Sequence, residues 1–333
     1  MKKNKKKYLI IGGAGVFALH LIRRLVHNDN NEVMSLGRSP EKNDNFTLGI
    51  TSKNFNNYKY IQLHMTFEND MLLEIIENFK PNYIVNFAAL AYATSWEKSY
   101  RYYDTNVTAV TKICEYLYNK NYLEQFLQIG SSEIYGATKK PALETDVPNP
   151  TSPYAVSKLS CDQHLLTLYN HLQFPVNIIR PCNCYGPTQL MYRIIPKAIL
   201  NGLNGIKFPL EGGGKAMKSF MHADDLAVAI LKILKSKKYG EIYNAGVDKP
   251  ITMKDIVQKI SQKLDLQFND FVKIVPGRKT EDKIYWVNSN KIKKNLNWKP
   301  NITFDEGLDD CIKWVREHND LLLQENTSFK FKA

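Results

Sequence analysis

The sequence predicts an α/β fold, a doubly wound parallel sheet with a smaller, discontinuous α/β domain attached. Apolar runs of strand length alternate with amphipathic stretches of helix length through the first half. A glycine-rich turn joins the first run directly to the first amphipathic stretch, and the alternation dissolves after Arg180 into a segment dense in proline and glycine. Unbroken apolar runs suit strands covered on both faces, and their regular exchange with helices is the pattern of a parallel sheet.

In chain order the apolar runs fall at 8–11, 32–36, 60–63, 83–85, 126–129 and 176–179, and the amphipathic stretches at 16–26, 70–79, 102–118 and 153–171. After Arg180, Pro181, Gly186, Pro187, Pro196, Pro209 and Gly212-Gly213-Gly214 break the rhythm. Residues 220–245 read as helix then strand and predict a return to the main sheet. The expected boundaries are 1–180 with about 220–250 for the larger domain, and about 181–219 with 251–333 for the smaller. The last ten residues have no periodicity and read as a loose end.

A chain of 333 residues with 44% hydrophobic, 11% aromatic and 23% charged residues is an ordinary globular composition, which excludes disordered and collagen-like readings. Cys114, Cys161, Cys182, Cys184 and Cys311 are odd in number and scattered, which fits a reducing compartment and points to the cytoplasm. The formal charge is +12, but Lys2, Lys3, Lys5, Lys6 and Lys7 crowd into the first seven residues and the other cations are mixed with acids. A solvated basic terminus explains this better than a nucleic-acid partner. The same lysines precede an apolar run and imitate a secretion signal, yet Gly12, Gly13, Gly15 and His20 interrupt the run and Arg23-Arg24 ends it without a cleavage site. No stretch approaches the ~18 apolar residues of a membrane span.

The run 8–11 leads into Gly12-Gly13-Ala14-Gly15-Val16-Phe17-Ala18 and straight on into a helix. Gly12 permits the tight turn, Gly15 the approach of a pyrophosphate, and small Ala18 the close packing of helix on strand. This strand-to-helix context predicts a dinucleotide-binding (Rossmann) domain in the first half. Where an acid for the ribose 2′-hydroxyl is expected, the second run ends in Leu36-Gly37-Arg38-Ser39, and Arg38 favours the 2′-phosphate of NADP over NAD. Glu41 or Asp44 turning inward would restore NAD.

Tyr154 and Lys158 stand four residues apart on one face of a helix. The Lys158 cation and an oxidised nicotinamide are expected to lower the phenol toward neutrality and make it a base. About 20 residues earlier, Gly130-Ser131-Ser132-Glu133-Ile134-Tyr135-Gly136 leaves the carboxyl end of a strand, where the ligand crevice of such sheets opens. Ser131 and Glu133 would face it.

These elements, together with Asn86-Phe87-Ala88-Ala89, Thr105-Asn106, Arg180-Pro181-Cys182-Asn183-Cys184-Tyr185-Gly186-Pro187 and Phe220-Met221-His222-Ala223-Asp224-Asp225, occur in the order seen in extended short-chain dehydrogenase/reductases. From about residue 8 to 318 the chain resembles a nucleotide-sugar epimerase/dehydratase. The resemblance implies cofactor contacts from Gly12, Gly15, Val16, Phe17, Arg38, Ala88, Tyr154 and Lys158. It implies that Ser131 orients the sugar 4-hydroxyl, Tyr154 removes its proton, and Lys158 holds Tyr154 and the nicotinamide ribose. Glu133 occupies the position of the 4,6-dehydratase base that takes the C5 proton before water leaves from C6.

Glucose-type dehydratases of the family usually carry Asp where this chain has Ser132, whereas GDP-mannose-type enzymes carry Ser there. The expected substrate is therefore a GDP-linked hexose or heptose, converted to a 4-keto-6-deoxy sugar. A 4-epimerase or a UDP-uronic acid decarboxylase of the same fold is the alternative. The resemblance also places Ser132, Asn183, Arg193, Lys218, Arg278 and Glu281 around the substrate, with Lys218 standing where relatives have Arg, a weaker phosphate fork. Relatives pair the helices matching 102–118 and 164–171 across subunits, so a homodimer or tetramer is expected.

Cys182-Asn183-Cys184 is poor metal-ligand spacing and reads as buried small residues; no metal is expected. His222 reads as structural. Trp96 lines the substrate side or fills core.

Overall fold

The computed structural model describes residues 5–91, 96–277 and 284–325. Strands β1 (Lys6–Ile11), β2 (Asn31–Gly37), β3 (Tyr58–Gln62), β4 (Tyr83–Asn86), β5 (Gln125–Ile129) and β6 (Val176–Pro181) alternate with helices α1 (Val16–Val26), α2 (Asn69–Phe79), α3 (Tyr100–Tyr103), α4 (Ala109–Leu117) and α5 (Pro153–Leu172). A π-turn, Asp104–Thr108, makes α3 and α4 one continuous rod. Then come β7 (Asn183–Tyr185), α6 (Ile194–Leu203), β8 (Phe208–Glu211), β9 (Met217–Lys218), β10 (Phe220–His222), α7 (Ala223–Lys235) and β11 (Ile242–Ala245). The chain closes with β12 (Ile251–Thr252), α8 (Met253–Lys263), α9 (Phe268–Phe271), β13 (Val272–Val275), β14 (Ile284–Tyr285), α10 (Asn290–Leu296), α11 (Phe304–Glu317) and α12 (Asn319–Leu323).

Seven parallel strands form the main sheet in the order β11-β6-β5-β4-β1-β2-β3. Strand order reverses between β1 and β4, and ligands of such sheets bind outside the carboxyl ends at that point. Alternate residues explain why both faces are covered. Ile10, Val33, Val85, Leu127 and Ile179 point to the side of α1 and α7, whereas Leu9, Leu36, Ile84, Phe126 and Ile178 point to the side of α2, α4 and α5. Each such side chain removed from water contributes about 1.5–3 kcal/mol. The segment 220–245 forms strand β10, helix α7 and strand β11 rather than helix then strand; β10 pairs with β7 apart from the main sheet, and β11 joins it with Ile242 opposite Ile178.

A third core lies in the second half, built from Ile195, Ile199, Phe208, Ile256, Ile260, Leu308, Ile312 and Val315. Its strands are short pairs, β7 with β10, β8 with β13, and β9 between β12 and β14. Helix α11 starts from a full capping box: the Thr303 hydroxyl accepts from Glu306 N, and the Glu306 carboxylate accepts from Thr303 N at 2.8 Å. Among the described residues no helix is long and apolar enough to cross a membrane.

Candidate active site

The turn after β1 shows why its first glycine is required. Gly12 has φ +84°, and a Cβ there would lie 2.5 Å from Ala88 N and 2.9 Å from the Phe87 carbonyl carbon. The chain leaving β4 therefore runs against the chain leaving β1 at the switch point, pinned by Phe87 N and Ala88 N donating to the Ile11 carbonyl at 2.8 and 3.0 Å. Gly15 is exposed, has ordinary φ −77° and is the N-cap of α1 without a side-chain cap. No acid stands in the first turn of α1, so the helix presents open N–H groups beside Val16 and Phe17. Both glycines lie where the sequence placed them, and the cradle fits a pyrophosphate.

At the end of β2 Arg38 is exposed, while its carbonyl accepts from Gln62 Nε2 at 3.2 Å. Glu41 is engaged elsewhere, accepting from Ser52 N and Oγ at 2.8 and 3.0 Å, and Asp44 accepts from Asn54 Nδ2 at 3.1 Å.

Helix α5 begins at Ser152, whose hydroxyl accepts from Ala155 N at 3.1 Å, with Pro153 at the first helical position. This start fixes Tyr154 in the first turn, facing the end of β5. There Ser131 caps the short turn Ser132–Tyr135, accepting from Glu133 N at 3.2 Å. The Tyr154 phenol is hydrogen-bonded to Ser131, and the charges of Glu133 and Arg193 both act on it. Four residues from three segments thus converge: Ser131 and Glu133 after β5, Tyr154 on α5, and Arg193 at the N-terminus of α6.

The expected base is not tuned by this chain alone. Burial, and then the Glu133 carboxylate, push the phenol of Tyr154 above its ordinary value. Lys158 is 1% exposed and spends an N–H on the Ile129 carbonyl at 2.6 Å; burial lowers its own pKa. A four-residue spacing shows that Tyr154 and Lys158 can meet but not the desolvation of a phenol enclosed at this depth.

The supporting shell was only partly visible in the sequence. Asn106, inside the π-turn, accepts from Leu90 N at 2.8 Å and donates to the Leu90 carbonyl at 3.1 Å and to Ser157 Oγ at 2.9 Å. Ser157 in turn donates to the Tyr154 carbonyl at 2.7 Å, so one amide ties the segment after β4 to the helix of Tyr154. π-turns recur at functional sites for this reason, because the extra residue re-aims a side chain. Beneath Lys158, Arg180 pairs with Asp162 at 2.9 Å and donates to Tyr135 OH at 2.8 Å, and that hydroxyl donates to Asn244 at 3.0 Å. Asp162 lies four residues beyond Lys158 on the buried face of α5, a spacing that could have flagged it.

Ser132 is buried, and Asn183 is half-buried on β7 opposite Phe220 of β10. Lys218 lies on β9 with its ammonium 5.7 Å from the Tyr285 ring. Arg278 and Glu281 fall outside the described residues. Trp96 is 60% exposed, which rules out the core reading. Cys182 and Cys184 are buried among apolar neighbours, their thiols pushed up by burial, and the described residues contain no cluster able to hold a metal. His222 is structural, accepting from Asp224 N at 3.3 Å, and burial pushes its pKa down to about 4.

A glycine turn at the switch point, and Ser131 bonded to the Tyr154 phenol with Glu133 beside it and Lys158 one helical turn on, are the features of a short-chain dehydrogenase/reductase of the extended type. Comparison with known proteins places it further. The profile of GDP-mannose 4,6 dehydratase matches residues 9–311, and the chain belongs to that family. It is 30% identical over 321 residues to dTDP-D-glucose 4,6-dehydratase of Homo sapiens, covering 94% of this chain and 91% of that protein. The crystal structure of dTDP-glucose 4,6-dehydratase from Bacillus anthracis in complex with NAD superposes with a TM-score of 0.85 at 28% identity, covering 95% of this chain and 98% of that one. UDP-glucuronic acid 4-epimerase from Bacillus cereus, at 23% identity and a TM-score of 0.85 over 93% of this chain and 99% of that one, shares the fold.

Proposed function

We propose that the protein is a nucleotide-sugar 4,6-dehydratase. The carrying observation is that Glu133 shares one short turn with Ser131, its N–H donating to Ser131 Oγ at 3.2 Å, and Ser131 is in turn hydrogen-bonded to the phenol of Tyr154. A 4-epimerase of this fold needs little more than Ser131, Tyr154 and Lys158, so a half-buried carboxylate beside them suits removal of a further proton; a uronic acid decarboxylase carries a similar serine–glutamate stretch, and against it stands Lys218 in the place of the usual arginine.

When bound, a nicotinamide dinucleotide supplies a hydride acceptor for C4 and a hydride donor for C6; Gly12, Gly15, Val16, Phe17, Arg38, Ala88 and Lys158 are the residues to hold it. Tyr154 accepts the proton of the sugar 4-hydroxyl, which Ser131 orients. The phenol sits above its ordinary value in the chain itself, so its basicity must come from positive charge brought into the site. Once C4 is a ketone, the C5 proton is acidified and Glu133 removes it. The same carboxyl then passes a proton to the departing 6-hydroxyl, which leaves as water, because Ser132 offers no carboxylic acid to share that work; C5 regains a proton from solvent once C6 is reduced. The Arg193 cation acts on Tyr154 in the direction that favours the phenolate.

Two finer readings belong with this one. Arg38 at the end of β2, with Glu41 and Asp44 turned to Ser52 and Asn54, supports NADP over NAD. Ser132 supports a GDP-linked hexose or heptose, whereas the Homo sapiens relative, which acts on dTDP-glucose, supports a dTDP-sugar. Exposed Tyr100, Tyr103 and Tyr118 on the α3–α4 rod and Leu172 at the end of α5 support pairing of subunits through these helices, and five buried unpaired cysteines support a cytoplasmic location. The test of the dehydratase reading is Glu133→Gln. Loss of water from the sugar should fall by about 10²–10⁴-fold while slow cofactor reduction by the substrate persists. Unchanged product formation would overturn the reading.

A further inference from the structure

The loop that carries Arg38 is held at its base by its own sheet and at its tip by the other half of the molecule. At the base, the Ser39 carbonyl accepts from Tyr60 OH at 2.5 Å and Glu41 is tied to Ser52. At the tip, the indole N–H of Trp314 on α11 donates to the Asn45 carbonyl at 3.0 Å, across 269 residues of sequence. The Phe46 ring meets that indole edge-on, with centroids 6.3 Å apart. Phe46 also packs into the third core, alone among the described residues before Tyr185. Trp314 is 6% exposed, and its own carbonyl accepts from His318 Nδ1 at 2.8 Å, so the indole is a fixed post rather than a mobile surface ring. Helix α11 packs in turn on α6, whose N-cap is Arg193.

Building on the reading that Arg38 meets the adenosine end of the cofactor, we propose that Trp314 is a positioning residue for cofactor binding. Its N–H and its contact with Phe46 hold the loop over the carboxyl ends of β1 and β2, so part of the dinucleotide affinity is set by a helix of the substrate-side core. The physical reason is entropic. A long connection pinned at its tip is ordered before the ligand arrives, and one left free must be ordered by it.

Titration calorimetry on the full chain, freed of nucleotide, tests this with NADP, NAD, GDP and dTDP as probes. Trp314→Phe keeps a ring against Phe46 and removes only the donor; Phe46→Ala removes the ring contact and keeps the donor. Each should weaken binding of the preferred dinucleotide by ~3- to 10-fold, the cost of one net hydrogen bond or its equivalent in packing. Binding of the preferred nucleoside diphosphate should move by less than about 2-fold, since that site gains nothing from the loop. Dinucleotide affinity equal to wild type in both variants overturns the inference, as does equal weakening of both ligand classes, which would mean general loosening. A wild-type protein that binds neither NADP nor NAD removes the cofactor reading itself, an outcome distinct from variants that match a binding-competent wild type.

Discussion

Substituting Gly12 by Ala perturbs the switch point at one atom. The added Cβ would sit 2.5 Å from Ala88 N, 2.8 Å from Ala88 Cα and 2.9 Å from the Phe87 carbonyl carbon, all backbone. That backbone cannot retreat without breaking two hydrogen bonds to the Ile11 carbonyl and one from Ala88 N to Asn86 Oδ1 at 3.1 Å. A side chain at φ +84° costs roughly 1–2 kcal/mol and the forced displacement roughly 1–3 kcal/mol more, so the loss is about 2–5 kcal/mol. Unfolding entropy scales with length to ~0.7 kcal/mol per degree for a chain of this size, which converts the loss to a Tm drop of about 3–7 °C. Gly15→Ala is the matched control. Its φ is ordinary and the new Cβ meets only the Gly12 carbonyl oxygen at 3.2 Å, so Tm should hold within about 1 °C while dinucleotide affinity falls by at least ~10-fold. Calorimetric melting and cofactor titration of both variants separate fold from binding. A Gly12→Ala protein that melts with wild type, or a Gly15→Ala protein that melts lower than Gly12→Ala, would refute the reasoning.

Two further outcomes follow from the surrounding geometry. Asn106→Ala removes three hydrogen bonds at a residue 1% exposed and leaves the Leu90 amide and carbonyl unpartnered; stability should fall by about 2–4 kcal/mol and kcat by ~10- to 100-fold, with substrate Kd nearly unchanged. Stability curves and steady-state kinetics on the same preparation check it, and an unaltered kcat would show that the amide does not aim Tyr154. Because His222 is depressed from 6.5 to about 4, the folded protein resists a proton that the unfolded chain accepts. Its contribution is therefore complete above pH 6.5 and lost as pH falls to about 4, a loss of roughly 3 kcal/mol. Urea unfolding at pH 7.5, 5.5 and 4.5 should show this decline in wild type and a flatter one in His222→Gln; equal slopes would contradict it. Asp224, held at about 2, loses its contribution only below 3.8 and is common to both proteins.

Much of the larger domain was legible because its signals are local. The amphipathic stretch 16–26 and the helix Val16–Val26 coincide, and the run 126–129 differs from β5 by one residue, since periodicity and a glycine turn need no distant partner to be read. The short pairs β7–β10 and β8–β13 left no comparable pattern, because strands of three or four residues gain their stability from the partner rather than from propensity. In the site, Ser131 and Glu133 could be placed from strand-end logic and Tyr154 from its spacing to Lys158. Asp162 had a spacing from Lys158 that hinted at it, but its pairing with Arg180 and the Trp314–Asn45 clasp are contacts of tertiary packing that no local pattern reveals. The burial that raises the Tyr154 phenol in the chain itself could not be read, because burial depth is a property of the whole fold and not of a four-residue spacing.

The most direct test of the account is the mass of the product formed by the wild-type chain in deuterium oxide from a panel of GDP-, dTDP-, UDP- and CDP-sugars. A Tyr154 and Glu133 that act in succession predict a sugar lighter by one water, carrying one solvent deuterium at C5, from at least one member of the panel. A product of unchanged mass without deuterium at C5, or one lighter by carbon dioxide, would show that Glu133 takes no proton from carbon and that the site performs a different reaction.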